Sequence, residues 1–256
     1  MSTPKTILFL GATGGCGFST LRRSLAAGHT CVALCRTPSK LTDKLPEPER
    51  RNLRVEQGNA VDPATLLRHL AKPSDPTALV DAVVFTVGGA FQFSKMNNDD
   101  PTVCERAMDA LLGALRTARA ERGLAGAPRI VAVSTTGLSE HGRDYPLALF
   151  PLYHYMLAEP HKDKKKMEAA LLASGEAWTV VRPSLLTDAA EEEEGKEQRT
   201  KAKPVREGME DPSAHALESK AVGYTITRED VGRWMFENVV DEQSDKWVRK
   251  IASITY

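Results

Sequence analysis

The stretch Lys5-Thr6-Ile7-Leu8-Phe9-Leu10-Gly11-Ala12-Thr13-Gly14-Gly15-Cys16-Gly17-Phe18 decides the fold. Ile7 to Leu10 is a short apolar run, which suits a strand buried on both faces of a parallel sheet. Phe18, Leu21 and Leu25 follow at helical spacing. The glycines have separate tasks in such a unit. One permits the turn out of the strand, one lets backbone N–H groups approach a phosphate, and one lets the helix pack close to the sheet. The helix N-terminus, with free N–H groups and partial positive charge, then faces a pyrophosphate. Gly11, Gly14 and Gly17 are spaced G-x-x-G-x-x-G, not G-x-G-x-x-G. Strand before and helix after give the context in which this loop reads as dinucleotide-binding and not as a plain turn. The expected fold is α/β, a doubly wound parallel sheet (Rossmann fold) with helices on both faces and a small C-terminal substrate-side region.

The next strand, Thr30 to Leu34, ends in Cys35-Arg36-Thr37-Pro38-Ser39-Lys40. An acidic residue here would bond a ribose 2′-hydroxyl and repel a 2′-phosphate. Arg36 stands there instead, and arginine matches phosphate bidentately. The cofactor expected is NADP(H).

The whole chain agrees with one such domain over residues 1–256. Its 256 residues carry 34 basic and 34 acidic side chains, so no global field attracts nucleic acid. No apolar run is long enough to span a bilayer, and the start of the chain runs straight into the first strand without a signal-peptide pattern. Cys16, Cys31, Cys35 and Cys104 make no C-x-x-C pair and read as buried thiols of a reducing compartment. The expected location is cytoplasmic.

Further along, Leu41 to Asn52 reads as a loop, Leu53 to Gln57 as a strand, and Asp62-Pro63 as a helix start. Asn59 and Ala60 fall near the adenine position. Ala78 to Val87 reads as one strand ending in Gly88-Gly89, and Phe91 to Asp100 as a substrate-side loop. A long helix follows Asp100-Pro101. Arg129 to Val133 is a strand ending in Ser134-Thr135-Thr136-Gly137, hydroxyls that either serve the nicotinamide crevice or form a turn. Tyr145, Phe150, Tyr153, His154 and Tyr155 supply a pocket wall or a packing face. His161 to Glu168 opens a helix whose lysines oppose the macrodipole. Residues 189–222, with the acidic run Glu191 to Glu194, read as a mobile inserted loop. A helix from Thr227 and a strand between Lys246 and Thr255 close the chain.

Five features together resemble the atypical short-chain dehydrogenase/reductases, in their NAD(P)H-binding, NmrA-like branch. They are the glycine loop, Arg36, Ser134-Thr135, Lys164 with Glu168, and Arg182-Pro183-Ser184. The resemblance implies that Gly11, Thr13, Gly14, Gly15, Cys16, Gly17 and Phe18 surround the pyrophosphate. It implies Arg36 and Lys40 at the 2′-phosphate, Asn59 and Ala60 at adenine, Val87 and Gly88 under the cofactor, and Pro183 and Ser184 at the nicotinamide amide. Lys164 matches the lysine of the Tyr-x-x-x-Lys pair, but Pro160 stands where the tyrosine should be. Proline cannot donate a proton. Three routes follow: a displaced donor (Tyr153, Tyr155 or His161), solvent as in the biliverdin/flavin reductase branch, or cofactor binding without turnover. The leading expectation is an NADPH-dependent reductase of a small apolar or aromatic carbonyl, quinone or flavin-like substrate, with Lys164, Ser134, Thr135 and Tyr155 at the reacting end. The alternative is a non-catalytic NADP(H) sensor. The branch also implies a monomer.

Overall fold

The computed structural model describes residues 3–89, 91–92, 97–188, 204–242 and 244–256. Its main sheet contains β1 (Thr6–Leu10), β2 (Thr30–Cys35), β3 (Leu53–Gln57), β4 (Ala82–Phe85), β5 (Arg129–Val133), β6 (Ala177–Pro183), β7 (Arg206–Asp211), β8 (Ala216–Ser219) and β9 (Lys250–Thr255). The spatial order is β8-β7-β9-β6-β5-β4-β1-β2-β3. From β9 to β3 neighbouring strands are parallel, and β7 and β8 add an antiparallel edge. The order reverses between β1 and β4, which opens a crevice at the carboxyl ends of the strands.

The apolar run of β1 is buried throughout. Alternation along it divides the core in two. Leu8 and Leu10 join the cluster under α2 (Pro63–His69), α3 (Val103–Arg122) and α4 (Ala158–Leu172), with Leu66, Leu111, Leu115, Met167 and Leu171. Ile7 and Phe9 join the opposite cluster under α1 (Gly15–Ala26) and α5 (Arg228–Met235), with Leu21, Val231 and Met235. Both faces of the sheet are covered, as a parallel sheet requires. Among the described residues no helix is long and apolar enough to cross a membrane.

Four readings of the sequence need correction. The single strand Ala78 to Val87 is broken at Val80-Asp81. Asp75–Leu79 turns back to pair antiparallel with Ala71–Lys72, and β4 begins at Ala82. The Asp81 carboxylate causes the break, since it accepts from Thr6 N (2.8 Å) and Lys72 Nζ (2.6 Å). Secondly, Leu41 to Asn52 is not all loop, because a helical turn Ser39–Thr42 and a 3-10 turn Glu47–Arg50 lie across it.

Thirdly, α4 begins at Ala158, so Pro160 occupies its first turn, where proline is tolerated, and the lysines from Lys162 onward lie beyond it. The conflict with the macrodipole disappears. Lastly, in the proposed mobile segment 189–222, residues 189–203 lie outside the described residues, but β7 and β8 are regular strands. The acidic run Glu191 to Glu194 lies outside the described residues, while carboxylates of β7 are paired. Glu210 is buried and accepts from Arg182 Nη1 (3.0 Å) and Ser139 Oγ (2.7 Å), and Glu207 accepts from Trp234 Nε1 (3.0 Å). Phe91 to Asp100 is described only in part, with Phe91–Gln92 paired to Asn97–Asn98.

Arg182 ties the antiparallel edge to the parallel core. Its other nitrogens hold Glu168 of α4 at 2.6 and 3.1 Å, and all three residues are 4 % exposed. Removing one member of a buried charge cluster leaves the others uncompensated. Arg182→Met should therefore destabilise the fold by about 3–5 kcal/mol, measured by urea unfolding. A loss under about 1 kcal/mol would mean that the carboxylates are solvated in the variant.

Candidate functional site

The glycine loop emerges from β1 into a cleft of about 300 Å³. Gly11, Thr13, Gly14, Arg36, Asn59, Ala60, Val87 and Gly88 all line it, with Thr86, Asp100, Val103 and Arg106 among the remainder. The glycines divide the labour as expected. Gly11 has φ +101°, and a Cβ there would lie 2.6 Å from Thr86 O. A Cβ at Gly17 would lie 2.5 Å from Gly11 O. These two let α1 seat against β1 and β4. At Gly88 a Cβ would meet nothing within 4 Å, and at Gly14 only Lys44 Nζ at 4.0 Å. Both positions line the cleft, so their missing side chains leave room for a ligand. Cys16 and Gly17 are buried in α1, and burial pushes the Cys16 thiol up to about 11, which makes it inert. Phe18 packs beneath the Lys44 ammonium, 5.5 Å from its ring centre.

A second recess adjoins the cleft and is lined by Thr13, Arg36, Thr37 and Lys40. Among the described residues neither Arg36 nor Lys40 has a carboxylate partner. Two free cations with hydroxyls beside them suit a phosphate monoester. The donor set and the open glycine positions therefore fit a phosphorylated dinucleotide. Thr37 is an addition that the sequence reading missed.

The candidate reacting end is at the carboxyl ends of β4 and β5. Lys164 reaches across from α4 and donates to Val87 O (3.1 Å) and Val133 O (2.8 Å), which ends one strand and follows the other. An ammonium has three donors, so one remains for a ligand. Next in the chain, Ser134 is 4 % exposed and its Oγ has no hydrogen-bond partner. Thr135 is half-buried beside it. Thr136 Oγ1 and the Tyr153 hydroxyl are hydrogen-bonded at 2.8 Å.

Gly137, at φ +89°, is the hub of a polar cluster. Its N–H donates to Asp144 Oδ1 (2.8 Å), and a Cβ on it would strike the Tyr153 ring at 2.5 Å and His161 Cε1 at 3.1 Å. Tyr153 stacks on Tyr145 at 4.5 Å and meets His161 edge-on at 5.4 Å. Asp144 Oδ2 and His161 Nε2 are buried without partners, like Ser134 Oγ. Burial raises the Asp144 carboxyl, lowers His161 to about 4, and raises the Tyr153 phenol. A protonated phenol and a neutral imidazole thus adjoin Gly137, together with a carboxyl whose pKa burial has raised.

Two expected site residues sit elsewhere. Tyr155 is 76 % exposed, because the wide turn Leu152–Met156 sends Tyr153 inward and its second neighbour outward. Tyr155 is therefore not positioned as a donor. The Ser184 hydroxyl is hydrogen-bonded to Thr255 Oγ1 (2.9 Å) in β9, so it is engaged inside the sheet, while Pro183 O accepts from Thr136 N (3.1 Å). Asp144 was missed because nothing local marks it. Only its long-range bond to Gly137 does so.

Comparison with known proteins bears on this site directly. The model of a family described as NAD(P)H-binding matches residues 11–242. The chain is 38 % identical over 274 residues to "Reductase pytE" of Aspergillus terreus, covering 100 % of this chain and 99 % of the relative. It is 36 % identical over 291 residues to "Oxidase pynE" of Aspergillus niger, with the same coverage. A solved short-chain dehydrogenase/reductase from Veillonella parvula in complex with NADP has a TM-score of 0.68 at 16 % identity, covering 99 % of this chain and 95 % of that one. That likeness shows the fold. The chain belongs to the NAD(P)H-binding family.

The His161 ring carries a consequence for acid stability. Its pKa is about 4 in the fold against 6.5 ordinarily, so the unfolded chain takes up the proton first. The stability it contributes is complete above pH 6.5 and is lost as the pH falls toward 4. Asp144, raised by burial, slopes the other way in wild type and variant alike. His161→Phe should therefore flatten the fall in unfolding free energy between these two pH values, measured by urea unfolding at each. An unaltered slope would assign the titration to another group.

Proposed function

We propose that this member of the NAD(P)H-binding family is an NADPH-dependent reductase acting on a small apolar or aromatic carbonyl, quinone or flavin-like compound. The observation that carries the reading is a set of unpartnered buried polar atoms at the end of β5: Ser134 Oγ, next to the Val133 carbonyl that Lys164 holds, and Asp144 Oδ2 and His161 Nε2 at Gly137. Buried polar groups are nearly always satisfied, so a set left open at the end of β5 points to a polar group of a ligand. The Tyr145–Tyr153 stack beside Gly137 suits a flat apolar body near that group.

When bound, the dinucleotide supplies the hydride. The residues do the rest. Arg36, Thr37 and Lys40 hold the 2′-phosphate, and Lys164 uses its remaining N–H on the nicotinamide ribose. The Lys164 charge also favours negative charge developing on the acceptor oxygen. Ser134 donates a hydrogen bond to that oxygen, with Thr135 beside it. Tyr153 takes the place of the tyrosine absent at Pro160 as the proton donor. Burial keeps its phenol protonated, and Thr136 orients it. Relatives named reductase and oxidase support redox chemistry at this site.

Pro160 also favours a second reading, a protein that binds NADP(H) and does not turn it over. Stoichiometric NADPH consumption with any member of a quinone, flavin and aromatic ketone panel excludes it as the sole role.

Two outcomes test the first reading. Arg36→Ala should weaken NADPH binding about tenfold or more with little change for NADH, read by cofactor fluorescence. Comparable losses for both would remove the 2′-phosphate assignment. With an active substrate, Lys164→Ala and Tyr153→Phe should each lower kcat/KM by about 10²–10⁴. Full turnover in Tyr153→Phe would transfer proton delivery to solvent.

A further inference from the structure

A cation stands over the glycine loop that the glycine pattern does not include. The helices α1 and α5 approach unusually closely, because a Cβ on Gly232 would lie 2.4 Å from Ser19 Cβ and 2.6 Å from Cys16 O. Ser19 Oγ donates to Glu229 O (2.9 Å), Thr20 Oγ1 donates to Gly232 O (3.2 Å), and Arg23 pairs with Glu229 at 2.6 Å. This contact fixes the first residue of α5, Arg228, above the first residue of α1, Gly15. Arg228 Cδ lies 3.1 Å and Nε 3.7 Å from the Cβ position of Gly15. Gly15 has φ +55°, and its bare face is what the arginine stem covers.

Among the described residues the guanidinium itself is held by one exposed partner. Arg228 Nη1 donates to Asp188 Oδ1 at 2.9 Å, and the Asp188 side chain is 87 % exposed. On the neighbouring glycine a second cation is placed in the same manner. Lys44 Nζ donates to Thr13 O (2.8 Å) and lies 4.0 Å from the Cβ position of Gly14. Two cations from distant parts of the chain therefore flank Gly14-Gly15, where helix dipole and free N–H groups already favour an anion.

We propose that Arg228 is a diphosphate-binding residue of the cofactor site and that Asp188 is its intramolecular competitor, a latch that the dinucleotide must displace. The exchange is favourable by kind. An exposed ion pair contributes little, whereas a diphosphate offers the guanidinium a bidentate, charge-assisted match. Asp188 thereby sets cofactor affinity without touching the cofactor. The inference rests on the cofactor site alone and is independent of turnover.

The test is cofactor binding by the full chain, read by fluorescence titration with NADPH and with NADH. Arg228→Ala should raise Kd about ten- to a hundredfold for both, since both carry the diphosphate. Asp188→Asn should lower Kd about two- to fivefold for both. The gain should vanish in the double variant, because no arginine remains to be released. A folding defect cannot produce the tighter binding of Asp188→Asn, and a failure of the 2′-phosphate assignment would appear only with Arg36→Ala and NADPH. Unaltered affinity in Arg228→Ala, unaltered affinity in Asp188→Asn, or a gain that persists in the double variant would each overturn the proposal.

Discussion

Everything at the functional end depends on how closely α1 approaches the sheet. Gly17 abuts the backbone of Gly11 and the side chain of Thr86, at distances that admit no Cβ. Thr86 closes the contact by donating to Gly11 O (3.0 Å) and Leu10 O (3.2 Å). The helix N-terminus is thereby brought to the carboxyl ends of β1 and β4, at the point where strand order reverses. A bulkier residue would lift the helix and with it the N–H groups and dipole that make an anion site. The close contact between α1 and α5 follows from the same seating, since Gly232 packs onto the first turns of an α1 already fixed by Gly17.

The second constraint is the register of α4. Asp163 is buried and accepts from Cys104 N (3.0 Å) and Glu105 N (2.8 Å), so it caps α3 from a neighbouring helix. Met167 and Leu171 enter the core, and Glu168 holds Arg182. These contacts lie within three turns of one helix and together fix its rotation. Lys164, next to Asp163, has no freedom to be elsewhere than between Val87 O and Val133 O.

The fold of the candidate cofactor half was readable from the sequence because its signals are local. A strand pattern, three glycines and an arginine six residues past the start of β2 all fall within about thirty-five residues, and the spacing of each reflects one turn or one strand end. The reacting half was readable only in part. Ser134 and Lys164 are marked by their positions on strand and helix. Asp144, the Tyr153–Thr136 bond and the Arg228–Gly15 contact join segments whose separation in sequence carries no period. Tyr153 and Tyr155 are both aromatic in one short segment, and only the path of the Leu152–Met156 turn separates inside from outside. The edge strands β7 and β8 were hidden for a different reason. A carboxylate such as Glu210 reads as solvated until the guanidinium that buries it is known.

Pro160 acquires a physical meaning from these constraints. In the first turn of α4 a proline removes an N–H that no carbonyl of the helix would have accepted, so the helix tolerates it. Position 160 carries no phenol, and the anchors of α4 at Asp163, Met167 and Glu168 keep Lys164 in place. In the proposed mechanism, cofactor holding and proton delivery are thus separable on this helix. What fills the space beside Gly137 is the Tyr153 ring, brought in from the preceding turn and backed by Tyr145 and His161. Gly137 has no side chain and adopts a left-handed conformation, the two conditions under which that ring can lie against the end of β5. The bare Gly137 that admits the Tyr153 ring and the Thr136 hydroxyl that bonds it are neighbours in the chain, so one turn after β5 fixes both the position and the hydrogen bond of this phenol.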